Sequence, residues 1–386
     1  MNRILLIVPG NKGTISACSL NLYNALKEES DVIVKCIYIN HFADGYAGFD
    51  NCEYFNNNHG FFKTFRRLLW VKEIKKKYKP DISISTLLGS SILNVLTGNR
   101  DLKIGIFHAP IEQSRINGKI YYFFSLFLHK YLYSLLDKFF CVSLEAKKSL
   151  LKNIKSIHPD NVHLVYNIHD ISNIKTKADE KLTDEEIDLF SKDVILYCGR
   201  TDDNKAPNRL IDAFLSNQML LDSDCQLVFI GEDPDVKMDY LKLRSKVKNI
   251  ENRVHFLGRK SNPYKYMKSA KVLVSCSYSE SLPGVIIESL ILGTPIVSTN
   301  SSIGIWEILS CADHYTSSLN SIKVTNNGVI TSNLSFTNKS KYMSDCESLA
   351  NGIEYILTNN LRYNNFKFQS NVEKDNIVRS YVDIAS

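Results

Sequence analysis

The chain has 386 residues, more than one typical hydrophobic core holds, so two domains are expected. At 44% hydrophobic and 23% charged residues it is composed like an ordinary globular protein, which excludes disordered, collagen-like and fibrous classes. The net charge of +6 is uneven: residues 1–170 hold 22 basic and 14 acidic side chains, a net of +8, and the remainder, with 25 and 27, is −2. A basic first half points to an anionic surface or substrate for that half.

The nine cysteines are scattered, odd in number and form no C-x-x-C, a pattern of reduced thiols in a cytoplasmic protein rather than of disulfides or a zinc site. Residues 4–8 form a short apolar run followed by a Gly-containing turn. With no cleavage-site pattern behind it, the run reads as a buried first strand and not as a signal peptide. No uncharged stretch approaches the roughly twenty apolar residues that a membrane-spanning helix needs.

In chain order, a helix is expected over 15–28 and strands over 32–38, 82–85, 103–108 and 139–143. Between them lies a basic amphipathic segment from Phe61 to Lys79. It mixes Phe61, Phe62, Phe65, Leu68, Leu69 and Trp70 with eight Lys and Arg, a composition suited to an anionic bilayer surface. A core-packed helix with a solvated charged face reads almost as well. The same two readings, membrane or buried helix, apply to the aromatic run over 121–136.

The alternation then restarts. Strands are expected over 193–198, 226–231, 255–257, 272–276 and 295–298, and helices over 206–215, 240–250, 262–269 and 284–292. The polar stretch 167–193 reads as the joint, 316–340 as an irregular or hairpin excursion, and 348–357 and 367–384 as closing helices. Alternating β and α elements in two series predict an α/β fold of two consecutive doubly wound, Rossmann-like domains.

One segment concentrates the chemistry. From Lys271 to Pro295 a strand ends near Cys276, a polar loop carries Glu280, Pro283 suits the first turn of a helix, and Gly293 with Pro295 ends it. Such a loop lies at the carboxyl end of a parallel strand, where α/β sheets bind ligands, and the free N–H groups of the helix start can hold a diphosphate. Glu288 falls about 7–8 Å along the helix from Pro283. Two carboxylates so spaced can accept hydroxyls on either side of a diphosphate.

This segment resembles the E-x7-E signature of retaining glycosyltransferase family 4, which has the GT-B fold. Ser277, Glu280, Pro283, Glu288, Gly293 and Pro295 match; Ser281 and Ser289 stand where the family has Gly and Ala. Gly199-Arg200 followed by Lys205 is similar to the family's G-R-x4-K element. Residues 229–233, 254–258 and 165–170 are similar to its I-x-G-x-G-P, V-x-F-x-G and P-N-G-V-D elements, the first without its second Gly and the last with Ile168 in place of Gly. The likeness runs in order over residues 1–310 and is tightest over 199–295.

The resemblance implies that Arg200 and Lys205 bind the donor diphosphate, with Gly13, Phe256, Leu257, Leu282, Pro283, Gly284 and Val285 completing the donor site. It further implies that Glu288 anchors the ribose, that Glu280 holds the sugar hydroxyls, and that His108 positions the reacting sugar. Plainer readings stand beside these: a core histidine at 108, a simple turn at Gly10 and Gly13, a surface ion pair at Arg200 and Lys205, and a plain loop rather than a metal site at Asp233 and Asp235.

The implied protein is a retaining hexosyltransferase using a nucleotide sugar, UDP-linked by expectation, with no cofactor and no metal. Its acceptor would be a glycan or polyisoprenoid-linked hydroxyl in bacterial surface polysaccharide or lipopolysaccharide assembly. Residues 1–170, joined by the C-terminal helix 367–386, would bind the acceptor and residues 171–366 the donor. A cytoplasmic location is expected, peripheral on the inner face of the cytoplasmic membrane, with no nucleic-acid partner. The rival readings are a GT-B-fold sugar-nucleotide epimerase and a non-catalytic GT-B subunit.

Overall fold

The computed structural model describes residues 1–42, 51–56, 62–98, 100–112, 126–128, 130–231, 241–242, 246, 250–310, 315–316, 319, 321–333, 339–361 and 366–383. The chain divides into two compact units, Met1–Asp170 with Ser370–Ser386, and Ile171–Gln369.

The first unit is built on a parallel sheet. Its strands are β1 (Asn2–Val8), β2 (Val32–Tyr38), β3 (Cys52–Tyr54), β4 (Ile82–Thr86), β5 (Leu102–Phe107), β6 (Lys138–Cys141) and β7 (Val162–Leu164), in the order β3-β2-β1-β4-β5-β6-β7. Helices α1 (Thr14–Lys27), α2 (Lys63–Tyr78), α3 (Leu87–Leu96) and α4 (Leu144–Asn153) connect them. Both faces of β1 are covered, which explains its unbroken apolar run. Ile4, Leu6 and Val8 pack with Leu22, Tyr23 and Leu26 of α1; Leu5 and Ile7 pack with Val71 and Ile74 of α2.

Within α2 the structure separates the two readings residue by residue. Val71, Ile74 and Lys75 are buried, while Phe62, Phe65 and Leu69 are exposed. Lys75 is drawn inward by Asp101 (2.8 Å) and Asn94 Oδ1 (2.6 Å). Burial raises the Asp101 carboxyl, but the Lys75 ammonium, Ser83 and Lys103 outweigh it and hold the group below its ordinary value. Phe61 and most of the aromatic run 121–136 lie outside the described residues.

The second unit carries β8 (Val194–Cys198), β9 (Gln226–Ile230), β10 (Val254–Gly258), β11 (Val272–Ser275), β12 (Ile296–Thr299), β13 (Lys323–Val324) and β14 (Gly328–Thr331), ordered β10-β9-β8-β11-β12-β14-β13. All pair in parallel except β13, which is antiparallel to β14. Its helices are α5 (Ile171–Ala178), α6 (Asp184–Phe190), α7 (Asn208–Leu215), α8 (Gln218–Asp222), α9 (Tyr264–Ser269), α10 (Gly284–Ile291), α11 (Ile303–Ser310) and α12 (Lys339–Thr358). Tyr197, Phe229 and Val274 meet Leu210 and Phe214 of α7 and Leu349 and Ile353 of α12 in one core.

Several sequence expectations change. The joint expected over 167–193 is mostly packed structure: Ile174 and Ala178 of α5 are buried, and Thr183 with Glu186 closes a capping box on α6. Polar composition hid these helices because α5 buries only a narrow stripe and α6 buries no residue fully. The excursion at 316–340 does contain a hairpin, β13 antiparallel to β14, but β14 is also a strand buried within the sheet beside β12. The final helix is two pieces, a 3₁₀ turn at Lys367–Asn371 and α13 at Lys374–Val382, and α13 packs Ile377, Val378 and Tyr381 into the first unit's core. The helix expected over 240–250 lies largely outside the described residues, as do Asp233 and Asp235.

Candidate active site

In the second unit the chain leaves β8 toward β9 and β10, then crosses to β11 on β8's other side. The loops after β8 and β11 therefore diverge from a switch point, where a parallel sheet opens a crevice at its carboxyl edge. Two hydrogen bonds join these loops. The Tyr278 N–H donates to the Asn204 carbonyl at 2.8 Å, and Asn204 Nδ2 donates to the Ser279 carbonyl at 2.9 Å.

That clamp brings Lys205 and Glu280, distant in sequence, into an ion pair of 2.5 Å. Both are largely shielded, with side-chain exposures of 24% and 11%. Arg200 differs: it is 60% exposed and pairs with Asp202 at 2.7 Å. Behind the clamp, buried Arg209 of α7 donates through Nε to Tyr278 Oη at 2.8 Å and stacks between the rings of Tyr278 and Tyr342. The Glu280 loop is thereby anchored to the unit's interior.

The loop's far side is held by a close backbone approach. A Cβ at Gly304, in the first turn of α11, would lie 1.9 Å from the Ser281 carbonyl oxygen, so only glycine fits there. Pro283 occupies the N-cap of α10 with ψ 111, one position before the first turn where the sequence reading put it. Its extended ψ turns the chain into the helix at Gly284, where the first N–H groups of α10 stand outside the intrahelical ladder. Leu282 and Val285 flank this start, half-buried.

Glu288 sits half-buried on α10, and no side chain among the described residues pairs with its carboxylate. Burial raises its pKa to about 7. It lies close enough to Cys198, at the end of β8, to help burial push that thiol up to about 12. Glu288 and the Lys205–Glu280 pair thus border one strand end. Phe256 and Leu257 stand apart from this cluster, on β10 at the sheet's outer edge. Phe256 stacks on the core ring of Phe229 at 5.1 Å.

In the first unit, Gly13 and His108 follow β1 and β5 at the carboxyl edge of that sheet. Gly13 is the N-cap of α1 at φ 89, ψ 176, a backbone region essentially reserved for glycine. His108 lines a cavity of about 20 Å³ with Thr86, Ser19, Tyr166 and Tyr381. That is room for about one water. Its Nε2 and the Thr86 Oγ1 are buried without a protein partner among the described residues. Burial lowers the imidazole to about 4, so it is neutral at pH 7.

Sequence reasoning did not single out Asn204, Arg209 or Tyr278. Asn204 directly precedes Lys205 and Tyr278 lies two residues before Glu280, so proximity was the available signal. Nothing local marks Arg209 as buried, because its partners come from other elements.

Residues 180–316 match the family model described as glycosyl transferases group 1, a span that includes the β8 and β11 loops. The chain is 27% identical over 259 residues to a protein of Methanocaldococcus jannaschii named as an uncharacterized glycosyltransferase, MJ1059, covering 64% of this chain and 62% of that protein. It is 34% identical over 189 residues, 48% of each, to the Campylobacter jejuni N-acetylgalactosamine-N,N'-diacetylbacillosaminyl-diphospho-undecaprenol 4-alpha-N-acetylgalactosaminyltransferase. The matches span less than two thirds of these relatives. Among solved structures, Anabaena Alr3699/HepE in complex with UDP and glucose superposes with a TM-score of 0.70 at 14% identity, covering 100% of this chain and 99% of that one. The fold is GT-B.

Proposed function

We propose that the protein is a retaining glycosyltransferase of family 4. It moves a hexose or N-acetylhexosamine from a nucleotide diphosphate sugar, read as UDP-linked, to a hydroxyl of a glycan or lipid-linked glycan in surface polysaccharide assembly. The observation that carries the reading is the carboxylate pair bordering β8: Glu280 held by Lys205, and Glu288 half-buried and unpaired beside a helix start. A carboxylate shielded from part of its water and without a partner gains from a ligand that supplies donors, and a ribose diol offers two. The group 1 match over the same residues and the lipid-linked acceptor in the Campylobacter relative's name support it.

In the proposed reaction the anomeric carbon–phosphate oxygen bond breaks while the acceptor oxygen bonds to that carbon from the same face. The acceptor proton passes to the departing phosphate oxygen. Arg200, Lys205 and the N–H groups at Gly284 and Val285 stabilise the diphosphate, so no metal is needed. Glu280 orients the sugar hydroxyls, and neutral His108 offers a hydrogen bond without adding charge. The first unit takes the acceptor. The exposed Phe62, Phe65 and Leu69 on α2 would rest at an anionic bilayer that carries it, on the cytoplasmic side.

The test is product formation from a panel of nucleotide sugars, read by mass spectrometry, for wild type and Glu288→Ala. Losing one charge-assisted anchor is expected to cut kcat/KM by about 10²-fold or more. A variant retaining near-full transfer would overturn the assignment.

A further inference from the structure

Beyond the donor site, the first unit carries a second collection of charge at the opposite edge of its sheet. A pocket of about 540 Å³ opens where α2 ends and where β4 and β5 begin. Lys72, Lys76, Lys79 and Arg100 line it, and none has a hydrogen-bond or ion-pair partner for its side chain among the described residues. Two acids, Asp81 and Asp101, share the lining with these cations. Asp101 is held by Lys75 at 2.8 Å and Lys103 at 3.4 Å, and Asp81 accepts the Arg3 backbone N–H at 2.8 Å.

Lysines near a helix C-terminus are favoured by the helix dipole, which accounts for some of this charge. It does not account for Arg100, which comes from the connection after α3, nor for Lys72, two turns back along α2. Lys79 is also an expensive choice. It caps α2 at φ 51, ψ 64, the left-handed region where glycine ends helices at lower cost. A cation is kept at a position that its backbone disfavours.

We propose that this pocket is a binding site for clustered phosphate groups, separate from the proposed sugar-donor site. Four unpaired cations around one opening repel one another, and a ligand with several negative charges relieves that repulsion. A single carboxylate could not satisfy them. The pocket sits at the amino edge of the strands, whereas Gly13 and His108 follow β1 and β5 at the carboxyl edge. The phosphates come from a soluble oligophosphate or from the headgroups of a bilayer.

The full chain is tested by calorimetry with tripolyphosphate and by co-sedimentation with vesicles of anionic and of zwitterionic phospholipid. The variants are Lys76→Ala/Arg100→Ala and Lys79→Gly. Each cation removed is expected to weaken binding about fivefold, and the double variant about 25-fold. Lys79→Gly should melt no lower than wild type, because glycine suits the cap, yet bind more weakly. Tripolyphosphate binding that the variants lose supports a soluble ligand; anionic-vesicle binding that the variants lose, without tripolyphosphate binding, supports headgroups. Binding of neither, or binding unchanged in both variants, overturns the proposal.

Discussion

Glu288 couples stability to pH through one proton. Burial raises its carboxyl from 4.5 to about 7, so the folded state holds the proton more tightly than the unfolded chain does. The contribution is fully present below about pH 4.5 and is lost as pH rises through about 7. Glu288→Gln, which cannot ionise, is expected to flatten that part of the Tm–pH curve between pH 5 and 8. In wild type, nucleotide-sugar affinity should rise over the same window, because a ribose diol donates to the ionised form. An unchanged slope in the variant would show that Glu288 is solvated instead. His108 has the opposite sense, since burial lowers it to about 4 and stability falls as pH drops from 6.5 toward that value.

Helix α2 shows how one element serves two environments. Its buried side ends in Lys75, whose ammonium reaches Asp101, Asn94 and Ser83 inside the unit. Lys75→Ala takes the nearest cation from the Asp101 carboxylate and leaves it Lys103 at 3.4 Å and the Ser83 hydroxyl. Chemical denaturation should register a loss of about 3 kcal/mol, at the low end for a broken buried pair because of that second lysine. Replacing exposed Lys72 should cost within about 0.5 kcal/mol. The sequence reading saw eight basic groups with aromatics in this segment and could not sort them. The sorting comes from Asn94 of α3 and from Asp101 just before β5, which supply Lys75 with partners while Lys72 and Lys76 stay exposed.

Across the whole molecule the chain crosses into the second unit once and returns once, so the last residues belong to the first unit. Truncation after residue 369 removes α13 and uncovers the surface that Ile377, Val378 and Tyr381 bury. At about 1.5–3 kcal/mol for each such side chain, the first unit should unfold at lower denaturant while the second keeps its midpoint. Two separated transitions in the truncated chain would bear this out; one unshifted transition would contradict it.

The sequence alone determined the α/β alternation, the two strand series and the loop that carries Glu280 and Glu288. Those features rest on local periodicity, on Pro283 and Gly293 as punctuation, and on apolar runs that β strands must bury on both faces. Other features were decided only in three dimensions. Lys205 meets Glu280 because β8 and β11 are neighbours and Asn204 ties their loops. Arg209 is buried because two tyrosines from separate elements enclose it. The Glu288 carboxyl is raised by the protein packed around it. Each depends on contacts between residues far apart along the chain, and sheet order, which no local pattern encodes, determines which of them meet.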